Sequence, residues 1–375
     1  MTSLRAQLLR WFNRARRDLP WRRTSDPYAI WVSEVMLQQT QVDTVIPYWT
    51  AFLGRFPNVR ALAKAPLEEV LHAWKGLGYY RRARLLHAAA HAVVEKHDGA
   101  LPQTAAGLRE LPGFGRYTAG AVASLAFGEQ SPVVDGNVAR VLSRLFEVEG
   151  RPGEPAREQT LWALAENLVV GPRPGDLNQA LMELGALVCT PARPDCAHCP
   201  VRRSCRALAS NRVEALPRPR VRKPPRPEKR YAVFARQGAK VLVARRSAHG
   251  LYGGLWELPS VARLPFPTGV KVGARTVSVT RQLTHRTMTY DVHTATIVGK
   301  ALVWADYDQV AWVDGVKLTS IPMSAAAVAV LKAAQGAREN TPAPRARKPA
   351  PAPRRPRAAS RDRKPGSGTG TKAAP

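Results

Sequence analysis

All four cysteines of this 375-residue chain fall within 17 residues, as Cys189, Cys196, Cys199 and Cys205 in the spacing C-x6-C-x2-C-x5-C. No other feature limits the fold as strongly, because four thiols in one short loop point to a single shared purpose. Disulfide pairing is disfavoured in a chain that reads as intracellular, where thiols stay reduced. Zinc takes four tetrahedral sulfurs, often from two CxxC pairs. Here there is one CxxC with long flanking spacers, which better suits a [4Fe–4S] cube. His198, inside the CxxC, reads as a spacer or basic loop residue rather than a ligand.

Charge points to the partner. Fifty-seven Lys and Arg against 28 Asp and Glu give a net charge of +29, a field that favours a polyanion or an anionic membrane surface. No apolar run approaches the roughly 18 residues that a spanning helix needs. The opening MTSLRAQLLRWFNRARRDLP reads as a basic amphipathic helix, without the apolar stretch and cleavage site of a signal peptide. Nucleic acid is therefore the leading partner, and a cytoplasmic, nucleoid-associated monomer is expected. The charge is uneven. Residues 336–375 hold eleven Lys and Arg but two acidic residues, too little apolar surface to offset ordering entropy, so a disordered basic tail is expected. LPRPRVRKPPRPEKR at 216–230 reads as a semi-rigid linker. The chain divides into 1–210, a basic Pro-rich linker 211–229, 230–335 and the tail.

The period of the pattern changes between the two parts. Asp26-Pro27 is an N-cap with Pro at the first helical position, and YAIWVSEVMLQQTQV continues without a breaker. Further helical runs are read at 59–74, 81–97, 116–127, 137–147, 156–169 and 176–188, with Gly and Pro between them. After the linker, KRYAVFARQGAKVLVARRS holds two β-rich runs around Gln237-Gly238, and TVSVTRQLTHRTMTYDVHTATIVG reads as two more strands. A last helix is read at 323–335. The fold class is an all-α domain followed by a small α/β domain.

Three local patterns carry chemistry. Thr104 can cap a short helix that ends at Leu111-Pro112-Gly113-Phe114-Gly115, with a second helix from Arg116. Glycines at such a turn let backbone approach a phosphate, and the next helix offers free N–H donors. Glu34 lies mid-helix beside Ile30 and Leu37, an apolar face on which desolvation would raise its pKa. Asp135 precedes Gly136-Asn137 and a helix, so it fits an N-cap whose N–H groups and dipole would hold it ionised.

The cysteine spacing, the LPGFG hairpin and the VDGN segment resemble the helix-hairpin-helix glycosylases of the endonuclease III and MutY type, over about residues 5–208. The resemblance implies a six-helix lobe plus an iron–sulfur lobe, and a structural, DNA-sensing cluster with Arg193, Arg202, Arg203 and Arg206 facing phosphates. SEVMLQQTQV resembles the MutY-type motif with a catalytic glutamate, and VDGNVARV the superfamily motif with its aspartate. Breaking an N-glycosidic bond needs a proton for the leaving base and an anion for the cationic sugar. By that carry-over Glu34 protonates adenine N7 and Asp135 stabilises the oxocarbenium ion. Bifunctional relatives place a lysine two residues past the second hairpin glycine. Here Tyr117 stands there, has no amine to attack the sugar, and implies a monofunctional enzyme.

A base inside a duplex must be flipped out and its gap filled. The resemblance puts Gln39 and Tyr79 in the stack beside the opposing base, Thr40 and Leu77 against that base, and Arg22 near the adenine pocket. Gly113 and Gly115 face the backbone. GLYGGLWELPS at 250–260 looks like the MutT-like, Nudix-fold domain of MutY. A Nudix hydrolase needs a Glu-rich helix to hold metal, and VARLPFPTGVKVGARTVSV has no acidic residue, so the domain reads as a lesion reader. Its probing loop corresponds to Leu283-Thr284-His285, with Leu283 where the family has an aromatic. The implied substrate is double-stranded DNA with adenine opposite 8-oxoguanine or guanine. The alternatives are an endonuclease III-like glycosylase/lyase and a non-catalytic iron–sulfur DNA-binding protein.

Overall fold

The structure, a computed structural model, describes residues 2–219, 224–299 and 304–339. Helices build the first part: α1 (Thr2–Ala15), α2 (Pro27–Leu37), α3 (Val42–Arg55), α4 (Val59–Lys64), α5 (Leu67–Ala73), α6 (Arg81–His97), α7 (Ala105–Leu108), α8 (Arg116–Ala126), α9 (Gly136–Phe146), α10 (Pro155–Val169), α11 (Pro174–Leu187) and α12 (Arg206–Ala209). Asp26 caps α2 as its sequence implies, its side chain accepting from the Tyr28 N–H at 3.0 Å. Residues 28–36 of α2 are all buried, so this helix is the axis around which the others pack.

Two apolar cores result. One gathers Trp31, Val32, Met36, Phe52, Leu62, Trp74 and Leu86 from α2 to α6 with Leu108 and Phe114 of the hairpin region. The other joins Leu8 and Phe12 of α1 to Leu142, Leu161, Leu181 and Val201. Helix α8 belongs to both, presenting Ala119, Val122 and Ala123 to the first and Ala121 to the second. Small side chains on α8 let both lobes close against it, and the seam between the lobes runs along this helix.

The second part is α/β. One sheet has the order β5-β1-β7-β6, from β5 (Ser260–Val261), β1 (Arg226–Phe234), β7 (Arg286–Ile297) and β6 (Val270–Gln282). Strands β1 and β7 run parallel, and β6 and β7 form an antiparallel hairpin. The other sheet joins β2 (Arg236–Gln237), β3 (Lys240–Arg246) and β4 (Trp256–Glu257), with β8 (Tyr307–Asp314) on β3. Helix α13 (Ala325–Glu339) packs Ala327, Val330, Leu331 and Ala334 into a core with Phe234, Val243, Tyr290 and Val292.

Several boundaries differ from the sequence reading. The run 59–74 is two helices, broken at Ala65-Pro66, where a proline disfavours helical backbone in the residue before it. Helix α2 stops at Leu37, and α3, with Pro47 inside it, was not anticipated. Strand β1 begins at Arg226, within the stretch expected as linker, because its pairing with Arg286 to Thr294 starts there. Helix α13 runs to Glu339, four residues into the expected tail; residues 340–375 lie outside those described.

The two parts touch through specific contacts. Leu255 is buried within the first core, beside partly buried Tyr252. Arg84 donates to the Gly253 carbonyl at 2.9 Å, Lys75 to the Thr319 carbonyl at 3.0 Å, and Arg245 pairs with Glu68 at 3.0 Å. Among the described residues no helix is long and apolar enough to cross a membrane.

Candidate active site

Glu34 comes from the middle of α2, Tyr117 from the first turn of α8 and Asp135 from the N-cap of α9. The three meet where the two lobes join. The Tyr117 hydroxyl donates to Glu34 Oε2 at 2.8 Å and also approaches Met182 Sδ at 3.4 Å. Glu34 is 5% exposed. Burial pushes its pKa up to about 7, with the Asp135 charge adding to the rise and the Tyr117 hydrogen bond opposing it. The apolar face read around Glu34 thus has the expected effect. Burial also holds the Tyr117 phenol protonated, far above the ordinary tyrosine value, so it can act only as a donor toward a carboxylate.

Asp135 caps α9, accepting from the Val138 N–H at 2.7 Å. The sequence reading has these N–H bonds and the helix dipole holding it ionised. In the structure burial is the larger influence and raises its pKa, while the Val138 and Asn137 N–H groups and Arg140 pull the other way without prevailing. Desolvation exceeds the capping interaction because the cap points into the lobe seam rather than into water.

Sequence reasoning missed Glu183. It lies on α11, 1% exposed, and receives Arg17 at 2.8 Å and Arg22 at 2.9 Å. Burial pushes its pKa up, but the hydrogen bonds from Arg17 and Arg22 outweigh this and hold it down at about 2. Arg22 also donates to Gln179 at 3.0 Å and sits 5.4 Å over the Phe12 ring. Its guanidinium is therefore engaged by Glu183, a permanent anion one residue from Met182. The signal was present: an acidic residue among Leu181, Leu184 and Met182, the same pattern that marks Glu34.

The hairpin forms as read. Thr104 caps α7 by accepting from the Gly107 N–H at 3.2 Å. Gly113 has φ +80, and a Cβ there would stand 2.7 Å from the Leu85 Cβ. Both facts demand glycine. Gly115 is the N-cap of α8, with no atom within 4 Å of an added Cβ, so the approach to the first N–H groups of α8 is open. Phe114 anchors the turn against Trp31, ring centres 5.1 Å apart.

The expected DNA-contacting residues divide. Gln39 and Tyr79 both have left-handed backbone, φ 57 and 48, and Tyr79 is 46% exposed. The Tyr79 hydroxyl lies 2.8 Å from Thr284 Oγ1, which joins the first part to the β6–β7 turn carrying Thr284 and His285, both exposed. Thr40 receives Arg82 at 3.1 Å. Leu77 departs from the reading: its side chain is 6% exposed and belongs to the first core, so packing leaves little of it for a base.

None of the four cysteines is in a disulfide, and three of them line the second core. Burial raises the thiol pKa of Cys196, Cys199 and Cys205. Arg144 donates to Cys189 Sγ at 3.4 Å, and Arg140 to the Cys189 carbonyl at 2.8 Å. Among the described residues no group of three or more His, Cys, Asp or Glu is disposed to hold one metal ion. His198 is exposed and pairs with Asp195 at 2.8 Å, consistent with a spacer. Arg193, Arg202, Arg203 and Arg206 are exposed.

A helical two-lobed fold, a glycine hairpin and a buried carboxylate at the seam define the class. Residues 32–167 match the model of the HhH-GPD superfamily of base excision DNA repair proteins. The chain is also similar to curated adenine DNA glycosylases. It is 44% identical over 319 residues to the human adenine DNA glycosylase, covering 71% of this chain and 58% of that protein. To the Arabidopsis thaliana adenine DNA glycosylase it is 41% identical over 299 residues, covering 69% of this chain and 47% of that protein. A thermostable thymine-DNA glycosylase of known structure matches at 32% identity with a TM-score of 0.51, covering 56% of this chain and 96% of that one. The chain thus spans about half to three-fifths of the length of these two curated relatives.

Proposed function

We propose that the protein is a monofunctional adenine DNA glycosylase of base excision repair, acting on adenine opposite 8-oxoguanine or guanine. The observation that carries this is the hydrogen bond from Tyr117 to a buried Glu34. A carboxyl group whose pKa is raised to about 7 can hold a proton for a leaving base in neutral water. Glu34 gives that proton to adenine N7 as the C1′–N9 bond breaks and its electrons leave with the base. Asp135 faces the cationic sugar, whose positive charge would favour the aspartate anion and offset its desolvation. Water then adds to C1′. Tyr117 holds Glu34 in place and cannot form a Schiff base, which argues against a lyase.

DNA is the partner of this reading. The hairpin and the open N-terminus of α8 suit a phosphate, and Gln39, Thr40 and Tyr79 suit the duplex interior, with Thr284 and His285 reading the opposing base from a Nudix-like domain that lacks the acidic helix of a hydrolase. For the thiols we propose a [4Fe–4S] cluster held by Cys189, Cys196, Cys199 and Cys205. The donor set fits: four sulfurs from one loop, with the buried Arg144 donating to Cys189 Sγ. Such a cluster would supply structure rather than a reacting group. A monomer working at the nucleoid in the cytoplasm accords with this function.

The test is direct. Purified protein is given duplexes with adenine opposite 8-oxoguanine, adenine opposite guanine, or thymine glycol. Adenine release from the first two without a strand break until alkali is expected. No release from the first would refute the proposal, and strand cleavage without alkali would make the protein a lyase. Glu34→Gln should lose release about a hundredfold or more while still binding DNA.

A further inference from the structure

Arg82 is a buried cation with no carboxylate among its hydrogen-bond partners. It stands in the first turn of α6 and is 8% exposed. Its Nη1 donates to the carbonyl oxygens of Val35, Met36 and Gln38 at 3.0, 2.7 and 2.6 Å. Its Nη2 donates to the carbonyls of Leu77 and Gly78 at 3.2 and 3.1 Å and to the Thr40 hydroxyl at 3.1 Å. The rings of Trp74 and Tyr79 lie 5.4 and 5.6 Å from the guanidinium carbon. The Val35 and Met36 carbonyls belong to the last turn of α2, where no later N–H reaches them and the helix dipole is negative. Carbonyl dipoles thus stabilise the charge. Burial pulls its pKa down to about 10, which still leaves it protonated in neutral water.

Two of these carbonyls stand out by position. Gln38 O precedes Gln39 and Gly78 O precedes Tyr79, the two residues with φ 57 and 48. A carbonyl and the next N–H share one peptide plane, so gripping Gln38 O and Gly78 O fixes the planes from which both φ angles are set. Side chains of this size hold left-handed backbone only where their surroundings enforce it. One guanidinium enforces it twice.

We propose that Arg82 is a positioning residue that presents Gln39 and Tyr79 as a fixed pair for entry into the duplex. This rests on the reading that those two residues enter DNA beside the mispair. The clamp is closed before DNA arrives, so the ordering of both loops is completed in the free protein.

The test uses the full chain with Arg82→Lys and Arg82→Met. Lysine keeps the charge but cannot span six acceptors. In the free protein, amide exchange over residues 37–41 and 76–80 should rise about tenfold or more in both variants, with residues 100–130 unchanged. Unaltered exchange in the two loops overturns the proposal. Single-turnover adenine release should fall about tenfold or more on a duplex with adenine opposite 8-oxoguanine, yet stay within about threefold of the parent on a strand whose adenine lies in an unpaired bubble. Equal losses on both substrates, or no loss on either, also overturn it. If the parent protein releases no adenine at all, the glycosylase reading falls, and the exchange measurement alone decides for or against the clamp.

Discussion

A carboxyl group buried beside a second carboxyl is easier to keep neutral than charged, and Glu34 shows what that costs the fold. Its pKa rises from 4.5 to about 7. Below about pH 4.5 the folded and unfolded chains both hold the proton. Between 4.5 and 7 the folded chain keeps a proton that the unfolded chain has released, so stability falls as pH rises, and the loss is complete above 7. Glu34→Gln removes the penalty. The variant should be more stable than the parent at pH 8, on the order of 3 kcal/mol, and much less so at pH 5, as urea unfolding at the two pH values would read. Equal stabilisation at both would deny the raised pKa. Activity should move with the same proton: for an acid catalyst, kcat/KM should fall about tenfold per pH unit above 7. Glu34 and Asp135 were legible as residues because a lone acid on an apolar helix face and an N-cap are local patterns. Arg82 and Glu183 were not singled out, since the α2-side partners of Arg82 lie 42–47 residues away and the arginines on Glu183 161–166 away.

Elements were legible where their ends are set locally. Thr104, Gly113 and Gly115 mark the hairpin by capping and turn chemistry alone, and the structure keeps each where the sequence puts it. The end of α2 is different. Its last carbonyls are taken by Arg82 from another helix, so nothing in the local run says stop. The split at Ala65-Pro66 was legible in principle, since the proline is there to be seen. At the hairpin, Gly113→Ala should cost about 1–2 kcal/mol for the left-handed backbone and more for the contact with Leu85. Because the same turn presents the free end of α8, DNA affinity should fall together with melting temperature. A variant that melts lower but binds DNA as tightly as the parent would separate the turn from the interface.

At the scale of the molecule, the β6–β7 turn meets Tyr79 through one hydrogen bond between exposed groups. Thr284→Val keeps the shape of the side chain and removes the hydroxyl. Release of adenine opposite 8-oxoguanine relative to adenine opposite guanine should narrow by about tenfold or less, as expected for one hydrogen bond. An unchanged ratio would leave Thr284 no part in reading the opposing base. This long-range meeting was not visible in the sequence, although both residues had been marked separately. The family pattern supplied their roles, but only the docking of the second part onto α5 and α6 brings them within 2.8 Å of each other.

Leu255 carries a further implication. A side chain from the second part, 1% exposed, is packed within the core of the first. Neither polypeptide segment is therefore finished alone. A chain severed between residues 219 and 224 should still travel as one particle through a sizing column, and the two fragments produced separately should find each other and restore the parent's activity. Leu255→Asp, which would force a charge into an apolar core, should abolish that complementation.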